Sequence, residues 1–267
     1  MRLPWHVEAW YDAMASTDKL GSIVDLDIEK ETGQSFEVEE GSLTVCIENL
    51  HFAFDPKQPI FTGFNLEVKG GEVLGLTGPV GAGAGTLLEL LYGLRPIEEG
   101  EVFLSGRDLR HVDLTGLRSR VVLIRDIELF EGTLLENLRL GNEAISLEQV
   151  YQILKDVGLY NKVRQMPKGV ETHLQIGGRP FSGSERIKLC IVRALLVRPG
   201  LLLIDKLLDG LDPEESSSLF SSLFQSDSNM TLMVSTRDRE ILNRCSRVVR
   251  IMPEIEHASK SSGEESI

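Results

Sequence analysis

The sequence predicts an α/β fold built around a mostly parallel sheet, and three observations predict it. A short apolar run ending in glycine, GEVLGLTG (71–78), feeds a glycine-rich loop that opens into a helically spaced segment, TLLELLYGL (86–94). From about residue 181 a helix, LLLID (201–205), a helix after Pro213, TLMVS (231–235) and RVVRI (247–251) follow one another, the alternation that crossover connections impose on a parallel sheet. Ahead of these, LTVCI (43–47) and LHFAF (50–54) alternate as strands do, so the domain opens strand-rich.

The remaining elements follow along the chain. Val7, Trp10 and Met14 have the spacing of one short amphipathic helix within 6–20, which an acidic, glycine-punctuated connector extends to residue 42. EVFLSG (101–106) reads as a strand. Beyond VVLI (121–124) the chain turns helical, and SLEQVYQILKDVGL opens on Ser146, a good N-cap because its hydroxyl can accept a free backbone N–H of the first turn. Residues 254–267 are polar and without period, which predicts a disordered acidic tail.

Charge and composition narrow the class. The 267 residues carry 28 Lys and Arg against 41 Asp and Glu, a net −13, which argues against nucleic acid as a partner because such affinity needs clustered positive charge. The excess is concentrated in the flanks: residues 1–42 carry −7 and residues 254–267 carry −3. No run of about 18 apolar residues offers a membrane span, and Glu8 and Asp12 stand where a leader peptide would be uncharged. The expectation is a cytoplasmic domain. Cys46, Cys190 and Cys245 are isolated in sequence, so they read as buried thiols and not as a disulfide framework or a zinc site.

The segment Gly78-Pro-Val-Gly81-Ala-Gly83-Ala84-Gly85-Thr86 lies between the predicted strand and helix. A phosphate loop needs this context, since glycines let successive N–H groups point inward and the helix N-terminus adds positive potential. The pattern G-x-x-x-x-G-K-[ST] then calls for a lysine on the β/γ-phosphates and a hydroxyl on Mg²⁺. Those two positions hold Ala84 and Gly85. Taken alone, a glycine-rich loop without its lysine favours a tight strand-to-helix turn over a phosphate site.

Residues 43–252 together resemble the ATP-binding cassette (ABC) family, specifically the nucleotide-binding domains of exporters. FSGSERIKLCIVRAL (181–195) is similar to the family's signature stretch, with Phe181, Ser182, Gly183, Ser184 and Glu185 in its five leading positions. LLLID (201–205) resembles Walker B, with Asp205 as the metal-organising carboxylate, and DGLD (209–212) resembles the D-loop. Arg125 falls at the Q-loop glutamine, Arg237 at the switch histidine and Phe54 at the aromatic residue that stacks on adenine. MPKGVET (166–172) and AWYDAMASTDKLGSIVDLD (9–27) are similar to segments that exporters carry before the signature and after the last transmembrane helix.

The resemblance implies a P-loop NTPase of the ABC ATPase type. Its parts would be a RecA-like parallel sheet core, a strand-rich subdomain and a helical lobe inserted at about 133–195, with residues 1–42 as linker and 43–253 as the cassette. It also implies ATP and Mg²⁺ as ligands at Phe54, Gly78, Gly81, Gly83, Ala84, Gly85, Thr86 and Asp205. A second cassette's nucleotide would meet Ser182, Gly183, Ser184 and Glu185.

The departures from the family pattern fall on the chemistry. Ala84 removes a cation, Gly85 removes a metal ligand, and Lys206 replaces the catalytic glutamate with a group that cannot accept a proton when charged. Arg125 and Arg237 add fixed positive charge. The expectation is a pseudo-ATPase with weak nucleotide and Mg²⁺ binding and no intact catalytic residue. It would pair with a competent cassette, with a membrane domain, or with both, at the inner face of a membrane. The membrane domain would come from a separate chain or the rest of a longer one. Two alternatives stand beside it: a divergent active ATPase in which Lys206, Arg125 and Arg237 restore the lost cationic field, and a stand-alone anion-binding regulatory module.

Overall fold

The computed structural model describes residues 10–11, 13–17, 19–21, 33–225 and 229–252. The chain divides into two units, residues 1–32 and 33–267. In the first, the described residues between 10 and 21 are helical, with Trp10 and Tyr11 well exposed. The expected Val7 of that helix, most of the acidic connector and the expected tail at 254–267 lie outside the described residues.

The second unit begins with β1 (Val45–Asp55), β2 (Gln58–Val68), β3 (Val73–Thr77) and α1 (Ala84–Leu91). There follow β4 (Glu99–Leu104), β5 (Arg107–Asp108), α2 (Leu114–Arg120), β6 (Val121–Ile124) and β7 (Gly132–Thr133). The helical region holds α3 (Leu134–Arg139), α4 (Leu147–Asp156), α5 (Tyr160–Gln165), β8 (His173–Leu174) and α6 (Gly183–Leu196). The chain then runs through β9 (Leu201–Asp205), α7 (Pro213–Gln225), β10 (Thr231–Ser235), α8 (Arg239–Arg244) and β11 (Arg247–Arg250).

Two sheets organise this unit. One is antiparallel in the order β2-β1-β4-β5; the other has the order β11-β3-β10-β9-β6, and every pairing in it is parallel. Parallel strands covered on both faces carry apolar side chains in both directions, and the two-residue period of a strand sends them alternately to opposite sides. Leu202 and Ile204 of β9, with Leu232 and Val234 of β10, pack into the core shared with α3, α4 and α6. Leu201, Leu203 and Met233 point the other way, into the core shared with α1 and the antiparallel sheet. The sheet therefore joins the helical lobe to the strand-rich subdomain.

Several local expectations meet a specific outcome. Ser146 caps α4 in a capping box with Gln149. The two runs LTVCI and LHFAF form one strand, β1, whose register shifts beside Asn49, a residue with φ 49°. The β2 strand went unread because Pro59, Gly63 and Asn65 break its alternation. Helix α1 starts two residues before and ends three before the expected 86–94, closed by Gly93 at φ 72°. Residues 34–42, expected as connector, enter the second unit's fold: Phe36 is buried, and Gln34 donates to His111 O at 2.6 Å. The cysteines are all free, but only Cys190 is buried; Cys46 and Cys245 are half-buried. Among the described residues no helix is long and apolar enough to cross a membrane.

Candidate functional site

The loop 78–86 leaves the end of β3, in the middle of the parallel sheet, and enters α1. Gly83, the N-cap residue of α1, has φ 102°, a left-handed conformation that a side chain disfavours. Gly78 has a different reason to lack a side chain: a Cβ there would lie 2.3 Å from the carbonyl oxygen of Ile251. No side chain caps the start of α1 and no acidic residue occupies its first turn. Its first N–H groups thus remain available to an anion, reinforced by the helix dipole.

This loop forms one wall of a cavity of about 420 Å³. Gly78, Gly81, Gly83, Ala84, Gly85 and Thr86 all line it, as do Phe54 from β1, Lys206 after β9 and Arg237 after β10. The parallel register explains the convergence, because β3, β9 and β10 end at the same edge: Ser235 pairs with Leu76 on one side and Asp205 on the other. Ligands in open α/β sheets bind beyond the carboxyl ends of the strands for this reason.

Asp205 lies against the start of α1. Its Oδ2 is 2.7 Å from where a Cβ of residue 85 would be, so Gly85 leaves the space that this carboxylate uses. Its Oδ1 is buried without a hydrogen-bond partner. Lys206 has φ 55° and is exposed; its N–H donates to Ser235 O at 2.9 Å and its carbonyl accepts from Asp209 N–H at 3.1 Å. Arg237 sits between two anchored neighbours. Thr236 donates its hydroxyl to Asp209 and accepts from Asp238 N–H at 3.0 Å, while Asp238 caps α8. Among the described residues neither Lys206 nor Arg237 has a carboxylate within ion-pair distance.

Arg125 stands apart from these two cations. It does not line the cavity; its Nη1 meets Glu89 Oε1 at 2.6 Å, and Glu89 Oε2 accepts from Arg95 Nε at 2.9 Å. Arg95 in turn lies over the Phe54 ring, 5.0 Å from its centroid, with Phe52 edge-on at 5.1 Å. Sequence reasoning missed Glu89 and Arg95. The available signal was that Glu89 is the one charged residue of α1.

Ser182, Gly183, Ser184 and Glu185, expected at the signature, are not part of the cavity wall. They form the start of α6 as a capping box: Ser182 Oγ accepts from Glu185 N–H and Ser182 N–H donates to Glu185 Oε2. The negative charge that Glu185 brings here is met by Lys162 Nζ at 2.5 Å. Burial pushes the Glu185 pKa up, but the bonds from Lys162 and Ser182 outweigh that and hold it below the usual range. Gly183 and Ser184 keep exposed or half-exposed positions at the helix start.

The residues suit the implied ligands unequally. The loop backbone and uncapped helix fit phosphate. For Mg²⁺, Gly85 offers no hydroxyl, Asp205 packs beside it, and the cavity-lining Glu89 is taken up by Arg125 and Arg95; among the described residues no cluster of three His, Cys, Asp or Glu could hold a metal. Asp205 Oδ1 could complete only a coordination sphere made mostly of phosphate and water.

Residues 61–208 match the family model described as ABC transporter. The human mitochondrial iron-sulfur clusters transporter ABCB7 is 30% identical over 202 residues, covering 75% of this chain and 27% of that protein. ABC transporter B family member 3 of Dictyostelium discoideum is 33% identical over 174 residues, covering 65% of this chain and 12% of that protein. A solved bacterial Atm1-family ABC exporter with ATP bound superposes with a TM-score of 0.80 at 21% identity, covering 96% of this chain and 48% of that one, a likeness of fold. The chain thus spans well under half the length of these two relatives.

Proposed function

Because the chain belongs to the ABC transporter family, we propose that it is an exporter-type nucleotide-binding domain whose own ATP site binds nucleotide weakly and does not hydrolyse it. The observation that carries this reading is Lys206. It follows Asp205 at the end of β9 and faces the cavity, where a carboxylate would ready water for attack. An ammonium cannot take that proton, and phosphoryl transfer depends on positioned charge and an oriented nucleophile together. Ala84 and Gly85 take away two further contacts to the phosphates and the metal.

The family's arrangement of two cassettes gives such a chain a use. The start of α6 is ordered by its own capping box, and Lys162 neutralises Glu185. Ser182, Gly183 and Ser184 are therefore a suitable face for the nucleotide of a competent second cassette. A membrane domain is the other partner in this reading. Beside Arg125 a groove of about 600 Å³ combines Leu94, Leu140 and Val197, each more than 40% exposed, with the charged Arg118, Asp126 and Glu128, the mixed character of a docking surface. The chain would then sit at the inner face of a membrane through that partner.

The test is phosphate release from Mg-ATP by the chain alone and with an intact cassette, beside co-purification with the membrane domain. No turnover alone, and turnover in the pair that falls when Ser182 is replaced, is expected. Turnover by the chain alone at the rate of an intact cassette overturns the reading.

A further inference from the structure

The residues lost and gained around the loop compensate one another in charge. In the family pattern a lysine at 84, Asp205 and a glutamate at 206 leave the site at net −1, and a divalent cation raises it to +1. Here Lys206 and Arg237 line the cavity together with Glu89, whose carboxylate is shared by Arg125 and Arg95, and Asp205 packs beside Gly85, so the site is no longer net negative before any metal arrives. The reversal at position 206 alone moves the site by two charges, the charge of one divalent ion. Arg125 adds little to this count, since Glu89 holds it at 2.6 Å.

We propose that this cavity binds polyphosphate nucleotides without a divalent cation, with Lys206 and Arg237 meeting the phosphate charge that Mg²⁺ would otherwise neutralise. The inference rests on reading the loop as a nucleotide site. Three features support it. First, the start of α1 lacks any side-chain cap, so its N–H groups face the cavity unclaimed. Second, Gly85 supplies no hydroxyl, and Asp205 Oδ2 is packed over it at 2.7 Å from the Cβ position, where a metal-binding side chain would stand. Third, Lys206 is held at φ 55° by backbone hydrogen bonds to Ser235 and from Asp209. A left-handed lysine costs about 1–2 kcal/mol and persists only where the surroundings over-determine it. The opposing feature is Asp205 Oδ1, buried without a partner, which is the oxygen a cation would claim.

The experiment is calorimetric titration of the full chain with ATP and with ADP, in EDTA and in excess Mg²⁺. Affinity in EDTA equal to or above that in Mg²⁺ is expected, because Mg²⁺ competes with Lys206 and Arg237 for the same oxygens. A tenfold or greater gain on adding Mg²⁺, about 1.4 kcal/mol, overturns the proposal, and so does the absence of binding in both buffers. Lys206→Asn keeps a residue that tolerates the left-handed conformation. It is expected to weaken binding in EDTA by about tenfold, the scale of one charge-assisted contact, with an unchanged melting temperature for the ligand-free protein. Unchanged affinity in that variant counts against the proposal. Lys206→Glu is expected to make binding depend on Mg²⁺, and metal-independent binding in that variant also overturns it. Phosphate release measured in the same samples reports separately on the non-hydrolytic reading: turnover sinks that reading alone, and Mg²⁺-dependent binding without turnover sinks this one alone.

Discussion

Arg125 Nη1 lies 2.6 Å from Glu89 Oε1, so a carboxylate that lines the cavity is paired with a cation that does not. The same carboxylate holds Arg95 at 2.9 Å, so one acid restrains two guanidiniums. Glu89→Gln should release both toward the cavity and raise nucleotide affinity several-fold by titration. Arg125 and Arg95 are each more than 40% exposed, so the cost in stability should stay within about 1 kcal/mol. Affinity that falls in this variant would show that Glu89 serves the ligand directly.

Placing a lysine in the loop should separate binding from chemistry. Ala84→Lys places a cation at the first residue of α1, where it can reach the β/γ-phosphates. Tighter ATP binding by calorimetry without phosphate release is the expected outcome, because the function proposed above gives Lys206 no capacity to ready water. Appearance of turnover in the single variant would falsify the role given to Lys206.

The loop glycines should differ in cost for separable reasons. At Gly78 a Cβ would meet the Ile251 carbonyl at 2.3 Å, a clash with backbone that forces β3 or the segment after β11 to move. At Gly81 nothing lies within 4 Å, but φ is 83°. Gly81→Ala should cost about 1 kcal/mol of left-handed strain. Gly78→Ala should cost more, about 2–3 kcal/mol as an overpacking change. Urea unfolding of both variants checks the order.

Asn137 is fully buried and joins the helical lobe to the segment after Arg125. Its Nδ2 donates to Phe130 O at 2.9 Å and Thr133 O at 3.0 Å, and its Oδ1 accepts from Phe130 N–H at 3.0 Å. Asn137→Ala strands buried backbone groups, each worth about 1–3 kcal/mol. A total loss of about 3 kcal/mol or more in chemical denaturation is expected; a loss below 1 kcal/mol would mean that water replaces the side chain.

The Glu185–Lys162 pair should give the start of α6 an acid-sensitive component. Glu185 has a folded pKa held below its ordinary value of 4.5. Its contribution is therefore present above about pH 4.5 and is lost as pH falls through the lower folded value. Glu72, held down by Arg247 against its own burial, acts in the same sense. Denaturant midpoints measured from pH 6 downward should fall less steeply for Glu185→Gln than for the parent chain. Identical slopes would remove Glu185 from that account.

Much of the fold and half of the site were legible in the sequence, because both depend on short-range pattern. The apolar runs of β3, β9 and β10, the cap at Ser146 and the glycines of the loop are local features, and each stands where the periods place it. Contiguous motifs likewise named Lys206 and Arg237, which the converging strand ends bring to one cavity, and Phe54, which reaches the same cavity from β1. What the sequence could not decide was which charges face a ligand and which face each other. Arg125 and Glu89 are 36 residues apart, Lys162 and Glu185 23 apart, and Thr236 and Asp209 27 apart. An ion pair depends on distance in space, which no period along the chain encodes. By itself the sequence determined that Ala84 and Gly85 stand between Gly83 and Thr86 of the loop; the tertiary structure decided that, among the described residues, Lys206 and Arg237 line the cavity and Arg125 does not, because helix α1 carries Glu89 to Arg125 while no described carboxylate reaches the other two.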